Sequence, residues 1–190
     1  MSKLRASSSK AWLEAVLGDF DAFMLDHATC ERKASATALS LVSHYPDREL
    51  LVQHMIVLAR EELEHFHQML WLVQASGLVL PPDEKDLYVQ GLRKLFRHGR
   101  AEYFLDRLLV SGIVEARGCE RFGRVADALE EGPLKTFYQS IVRAEAQHHA
   151  LFYNLALNYF DTATVDARQD ELLDHEAEIL QTLPIRPIVH

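Results

Sequence analysis

The 190-residue chain predicts an all-α protein built on a four-helix bundle, with additional short N-terminal and C-terminal helices. Three features carry that prediction. Apolar residues recur at steps of three and four through four long segments, strand-like alternation is almost absent, and turn-forming strings separate the segments. Those strings are "GDF" near 18, "YPD" at 45, "SGLVLPPDE" at 76, "EGP" at 131 and "DTAT" at 161. The long helices are expected at about 19–44, 47–75, 100–129 and 133–160, with shorter ones near 10–17, 85–97 and 164–182. Asp19 and Asp47 are the expected N-caps, Pro133 suits a first helical turn, and Pro46 and Pro184 stop what precedes them. Length and a hydrophobic content of 48% point to one domain over residues 1–190, with core helices spanning about 19–160.

Composition narrows the function classes. The start, "MSKLRASSSKAWLEAV", lacks the apolar core of a secretory signal, and no stretch approaches the roughly 18 uncharged apolar residues of a membrane span, so a cytoplasmic protein is expected. Cys30 and Cys119 make no disulfide framework and no CxxC pair, and are read as reduced packing thiols. The net charge of −8 argues against nonspecific binding to nucleic acid or anionic membrane. From Gly91 to Arg124, however, eight basic residues stand against four acidic ones.

The inward stripes contain the chemistry. In the second long helix Leu51, Met55, Leu58, Glu62, His65, Met69 and Leu72 follow bundle spacing, and in the fourth Leu134, Tyr138, Ile141, Glu145, His148, Phe152, Leu155 and Tyr159 do the same. The first helix contributes Met24, His27, Glu31, Ala34, Ala38 and Leu41, and the third Phe104, Leu108, Ser111, Glu115, Gly118 and Phe122. Each apolar stripe is therefore interrupted near its middle by a glutamate. In "ELEH" and "EAQH" a histidine follows three residues later, which puts carboxylate and imidazole on one helical face.

Four buried, unpaired carboxylates would prevent folding, because each loses its hydration without compensation. The stripes offer no lysine or arginine, whereas two divalent cations balance four carboxylates. Four carboxylates and two imidazoles without a thiolate suit iron or manganese better than structural zinc. Two single glutamates plus two Glu-x-x-His pairs is the ligand pattern of ferritin-like di-iron and di-manganese bundles. The spacing is also internally symmetric: 31 residues from Glu31 to Glu62 and 30 from Glu115 to Glu145. Glu61 and Glu64 flank their stripe and are read as solvated, His27 as a core histidine. His67 and His149 are open between a role behind the ligands and the surface. Glu120 competes with Glu115 but breaks the symmetry.

The strings "DHATCERKASATALS", "AREELEHF", "GIVEARGCERF" and "RAEAQHHALF" together resemble the tRNA-(2-methylthio-N6-isopentenyladenosine) hydroxylase (MiaE) family, over about residues 10–185. The resemblance places the family's iron ligands on Glu31, Glu62, His65, Glu115, Glu145 and His148. It implies two Fe ions as cofactor, O2 as co-substrate, and hydroxylation of the isopentenyl side chain of the modified adenosine at tRNA position 37. No catalytic residue beyond the metal centre is implied. Nothing in the chain is built to bind a flavin or nicotinamide, so a separate reductase is expected as electron donor. The expected partners are that reductase and the tRNA anticodon stem-loop, with the protein a monomer or dimer. Arg93, Lys94, Arg97 and Arg100, and the i, i+4, i+7 trio Arg117, Arg121 and Arg124, are the expected phosphate contacts, the trio facing solvent opposite Glu115. The rival reading of the trio is a solvated face paired with Glu102, Asp106 and Glu120. The rival functions are an iron-storage or peroxide-scavenging bundle of ferritin or rubrerythrin type and a metal-free interaction bundle.

Overall fold

The computed structural model describes residues 3–190, which form seven helices and, among the described residues, no strand. These are α1 (Lys10–Gly18), α2 (Phe20–His44), α3 (Glu49–Ala75), α4 (Leu87–Arg93), α5 (Arg100–Ala128), α6 (Pro133–Tyr159) and α7 (Thr162–Thr182). The all-α expectation holds, and all four long helices appear within two residues of their expected bounds. No helix is long and apolar enough to cross a membrane. Two compact units are present: Glu14–Glu84 with Arg186–Val189, and Met1–Leu13 with Lys85–Ile185 and His190.

The first unit is organised by the α2–α3 hairpin. Asp19 caps α2 by accepting a hydrogen bond from the Ala22 backbone N–H at 3.1 Å, as expected. Asp47 does not cap α3. The chain after Pro46 closes a tight turn, the Arg48 N–H donating to the Tyr45 carbonyl at 3.2 Å, so Asp47 is spent in the turn and Arg48 takes the cap position. At the far end of α3, Gly77 adopts φ 73°, the left-handed conformation that lets Leu78 N–H reach back to the Val73 carbonyl at 3.0 Å. Between the two helices the buried Ser35 hydroxyl donates to the Ala59 carbonyl at 2.8 Å.

The second unit is organised by the α5–α6 hairpin, with Pro133 at the start of α6 as expected. Here α5 is buried on more than its inward stripe, because α4 and α7 pack against it. Asp106, fully buried, accepts hydrogen bonds from Arg168 Nε at 2.8 Å, from Arg97 Nη2 at 2.8 Å and from the Arg97 backbone N–H at 2.8 Å. Burial alone would raise its pKa, yet the Arg97 and Arg168 bonds hold it below the usual carboxylate value. The capture of Arg97 also ends α4 early, at Arg93 rather than near residue 97. About three turns further along α5, Arg117 and Tyr88 share the Glu176 carboxylate at 2.9 Å each.

Candidate metal centre

The inward stripes are largely buried, with His65 on α3 and Ser111 and Glu115 on α5 half-buried. On α3, Leu51, Met55, Leu58, Glu62 and Met69 are at most 2% exposed, while Glu61 and Glu64 on the neighbouring positions are open to solvent. On α6, Tyr138, Ile141, Glu145, His148, Phe152 and Leu155 are buried. A glutamate placed on such a face by helical period cannot reach water without unwinding its helix. Its charge has to be answered locally.

Within the α2–α3 unit, Glu31, Glu62 and His65 each present one ligand atom, and these atoms lie within 4.8 Å of one another. His65 Nδ1 is 3.5 Å from Glu31 and 3.4 Å from Glu62, and His27 Nε2 is 2.5 Å from the other Glu31 oxygen. Burial works to raise the Glu31 pKa, but the hydrogen bonds from His27 and His65 outweigh it and hold Glu31 well below the usual range. Burial works to lower His65, and its bonds to Glu31 and Glu62 outweigh that and push it up to about 10. Glu31 thus stays ionised, and a proton is drawn onto the His65 imidazole. That is the electrostatic demand a divalent cation satisfies.

Within the α5–α6 unit, Glu115, Glu145 and His148 likewise lie with one ligand atom each inside 4.8 Å. Glu145 lies against α5, where a Cβ on Gly118 would meet Glu145 Oε2 at an ordinary contact distance of 3.8 Å. Two all-oxygen-and-nitrogen trios, each with two carboxylates and one imidazole at close quarters, fit hard divalent metals such as iron or manganese.

Other expectations resolve differently. His27 is a fully buried core residue, and it also bonds Glu31. His67 is a surface residue, its ring 4.6 Å from that of exposed Trp71, while His149 is buried and bonds the Gly112 carbonyl at 2.7 Å. Glu120 turns away from the trio to bind Ser8 and Arg117.

The expected solvent-facing trio on α5 is corrected: Arg117 and Arg121 are 0% and 5% exposed. Arg117 pairs with Glu176 and Glu120, Arg121 binds the Ser8 hydroxyl and lies over the Trp12 ring at 4.7 Å, and Arg124 bonds the Ser8 carbonyl. Burial and the neighbouring Arg117 bring the Arg121 pKa down to about 10. The cause is coverage of that face by the N-terminal segment and α7, elements whose docking helical period does not report. A signal was present in α5, where Phe104, Leu105, Leu108, Leu109, Val110 and Ile113 spread apolar character well beyond one stripe. Of the remaining basic residues, Arg97 is tied to Asp106, and Arg93, Lys94 and Arg100 are exposed.

Against known proteins, the family model described as tRNA-(MS[2]IO[6]A)-hydroxylase (MiaE) matches residues 1–190. The tRNA 2-(methylsulfanyl)-N(6)-isopentenyladenosine(37) hydroxylase of Pseudomonas putida is 38% identical over 172 residues, covering 90% of this chain and 83% of that protein. The protein of the same name from Salmonella typhimurium is 32% identical over 130 residues, 68% of this chain but only 47% of its own length. Among solved structures, a Synechococcus protein described as having aldehyde deformylating oxygenase activity matches with a TM-score of 0.95 and 32% identity, over 100% of this chain and 96% of its own. That whole-chain match bears out the ferritin-like class expected from the ligand pattern. With the family model matching from the first residue to the last, the chain belongs to the tRNA-(MS[2]IO[6]A)-hydroxylase (MiaE) family.

Proposed function

We propose that this protein is a cytoplasmic, O2-dependent non-haem di-iron monooxygenase that hydroxylates the isopentenyl side chain of 2-methylthio-N6-isopentenyladenosine at position 37 of tRNA. The observation that carries the reading is the pair of matched trios, Glu31, Glu62 and His65 on one hairpin and Glu115, Glu145 and His148 on the other. These six residues would hold two iron ions, one trio supplying most ligands to each. Membership of the family supports the substrate.

Iron held there would supply the electron chemistry that lets O2 attack an allylic carbon–hydrogen bond of the side chain. One oxygen atom becomes the hydroxyl on the side chain; the other leaves as water, with two protons and two electrons from a separate reductase. The chain itself does three things. Its carboxylates neutralise the metal charge, and His65 gives up its extra proton on becoming a ligand. Its buried apolar neighbours, Leu58 and Met69 on one stripe and Ile141 and Phe152 on the other, keep bulk water from the ligands. Its exposed Arg93, Lys94 and Arg100 hold phosphates of the anticodon stem-loop, whose single-stranded loop presents the target base.

The name of the Synechococcus structure supports a second reading, oxidation of an aldehyde at the same centre. One experiment separates the two. Iron-loaded protein, O2 and a chemical reductant are given isopentenylated tRNA in one reaction and an aliphatic aldehyde in another. Hydroxylated nucleoside found by mass spectrometry after tRNA digestion supports the first reading. Formate release from the aldehyde with unmodified tRNA overturns it in favour of the second.

A further inference from the structure

We infer that each metal-ligand trio is held in register by one cross-helix clamp, and that Ser35 and His149 are the positioning residues that form them. The inference rests on the di-metal reading above. On the first hairpin the Ser35 hydroxyl donates to the Ala59 carbonyl at 2.8 Å. On the second, His149 Nδ1 stands 2.7 Å from the Gly112 carbonyl. A carbonyl oxygen only accepts, so this nitrogen carries the proton and donates. Both donors are buried, at 6% and 8% exposure.

The offsets are the same in both hairpins, with the donor on the first helix of one and on the second helix of the other. Ser35 lies four residues after Glu31, and Ala59 three before Glu62; His149 lies four residues after Glu145, and Gly112 three before Glu115. Each clamp therefore joins the two helices about one turn from the pair of glutamates those helices contribute. Helices packed only by apolar side chains tolerate small axial slips, because dispersion contacts are non-directional. A buried hydrogen bond to a backbone carbonyl is directional and leaves an unmet acceptor when the helices slide. A slip of even 1 Å would carry one carboxylate away from its partner ligands.

Backbone contact at the second clamp depends on glycine. A Cβ at Gly112 would lie 3.1 Å from Phe152 Cβ and 3.5 Å from the His149 carbonyl oxygen. Gly112 stands three residues before Glu115, so this tight approach to α6 lies about one turn from that candidate ligand.

The test uses the full chain, stripped of metal and titrated with Co2+, whose visible spectrum reports ligand geometry independently of turnover. Variants are Ser35→Ala, His149→Leu and His149→Asn, the last keeping an N–H donor at the same number of bonds from the backbone. The wild type is expected to bind two equivalents. Ser35→Ala and His149→Leu are each expected to weaken one equivalent by about 10- to 100-fold and alter its spectrum, with helical circular dichroism unchanged, and His149→Asn to restore the wild-type titration. Two wild-type equivalents with unaltered affinity and spectrum in both Ser35→Ala and His149→Leu would overturn the clamps. So would a His149→Asn that is folded yet titrates like His149→Leu. A wild type that binds no cobalt overturns the di-metal reading itself and the clamps with it.

Discussion

The two hairpins carry matched sets of candidate ligands on differently built supports. The α2–α3 unit holds five basic residues against twelve acidic ones, and the outward face of α3 is bare, with Ile56, Val57, Leu63 and Trp71 each at least 45% exposed. The α5–α6 unit holds fifteen basic residues against sixteen acidic ones, and the back of α5 is covered by α7 through buried ion pairs, by the N-terminal segment through hydrogen bonds, and by α4. Metal chemistry needs only the inward faces to match. What lies behind each face is free to differ, and here it separates an acidic hairpin from one that also carries the exposed phosphate-binding candidates.

The sharpest way to break the equivalence is to remove one ligand from each hairpin. Glu62→Ala and Glu145→Ala should each lower tRNA hydroxylation by at least about 100-fold and reduce bound iron, measured by product mass spectrometry and elemental analysis. A variant that keeps full activity and two irons would show that its hairpin supplies no ligand at that position.

The buried support should matter next. Asp106→Ala leaves the 6%-exposed Arg168 without its main counter-charge and should cost about 3 kcal/mol of stability, read from chemical denaturation. The same carboxylate has a pH signature. Its folded pKa lies below the ordinary value, so its contribution is fully present above about pH 4 and is lost as pH falls through the depressed folded value. The stability gap between wild type and Asp106→Asn should therefore shrink toward zero on acidification.

Smaller effects test the surface. The triple variant Arg93→Ala, Lys94→Ala, Arg100→Ala should weaken tRNA binding and flatten its logarithmic salt dependence by about 2 to 3, with thermal stability barely altered. An unchanged salt slope would remove these residues from the interface. Least of all, Glu64→Gln should leave iron content unchanged and shift stability by no more than about 0.5 kcal/mol, although it stands two residues from Glu62.

Glu62 and Glu64 show how much was legible beforehand. Helical period alone assigns them to opposite environments, because 200° of rotation separates them. The same rule picked out all six ligand candidates and the four long helices, while the helix-stopping prolines were legible from their own backbone restriction. It misjudged Arg117 and Arg121, which share a face opposite Glu115 and were expected in water. Period identifies which residues share a face; it carries no information about what another part of the chain lays over that face. Asp47 failed for a related reason, since its role as a cap depended on whether the turn after Pro46 used it first.

By itself, then, the sequence determined the helices, the stripe on which each glutamate rides and the set of candidate ligands, all of which depend on spacing along one helix and the cost of burying charge. Only the tertiary structure decided that α5 is enclosed, that Arg97 and Arg168 converge on Asp106, and that Ser35 and His149 reach backbone carbonyls across their hairpins. Those contacts join residues from 9 to 62 positions apart. Their formation depends on helix docking, which no local periodicity encodes.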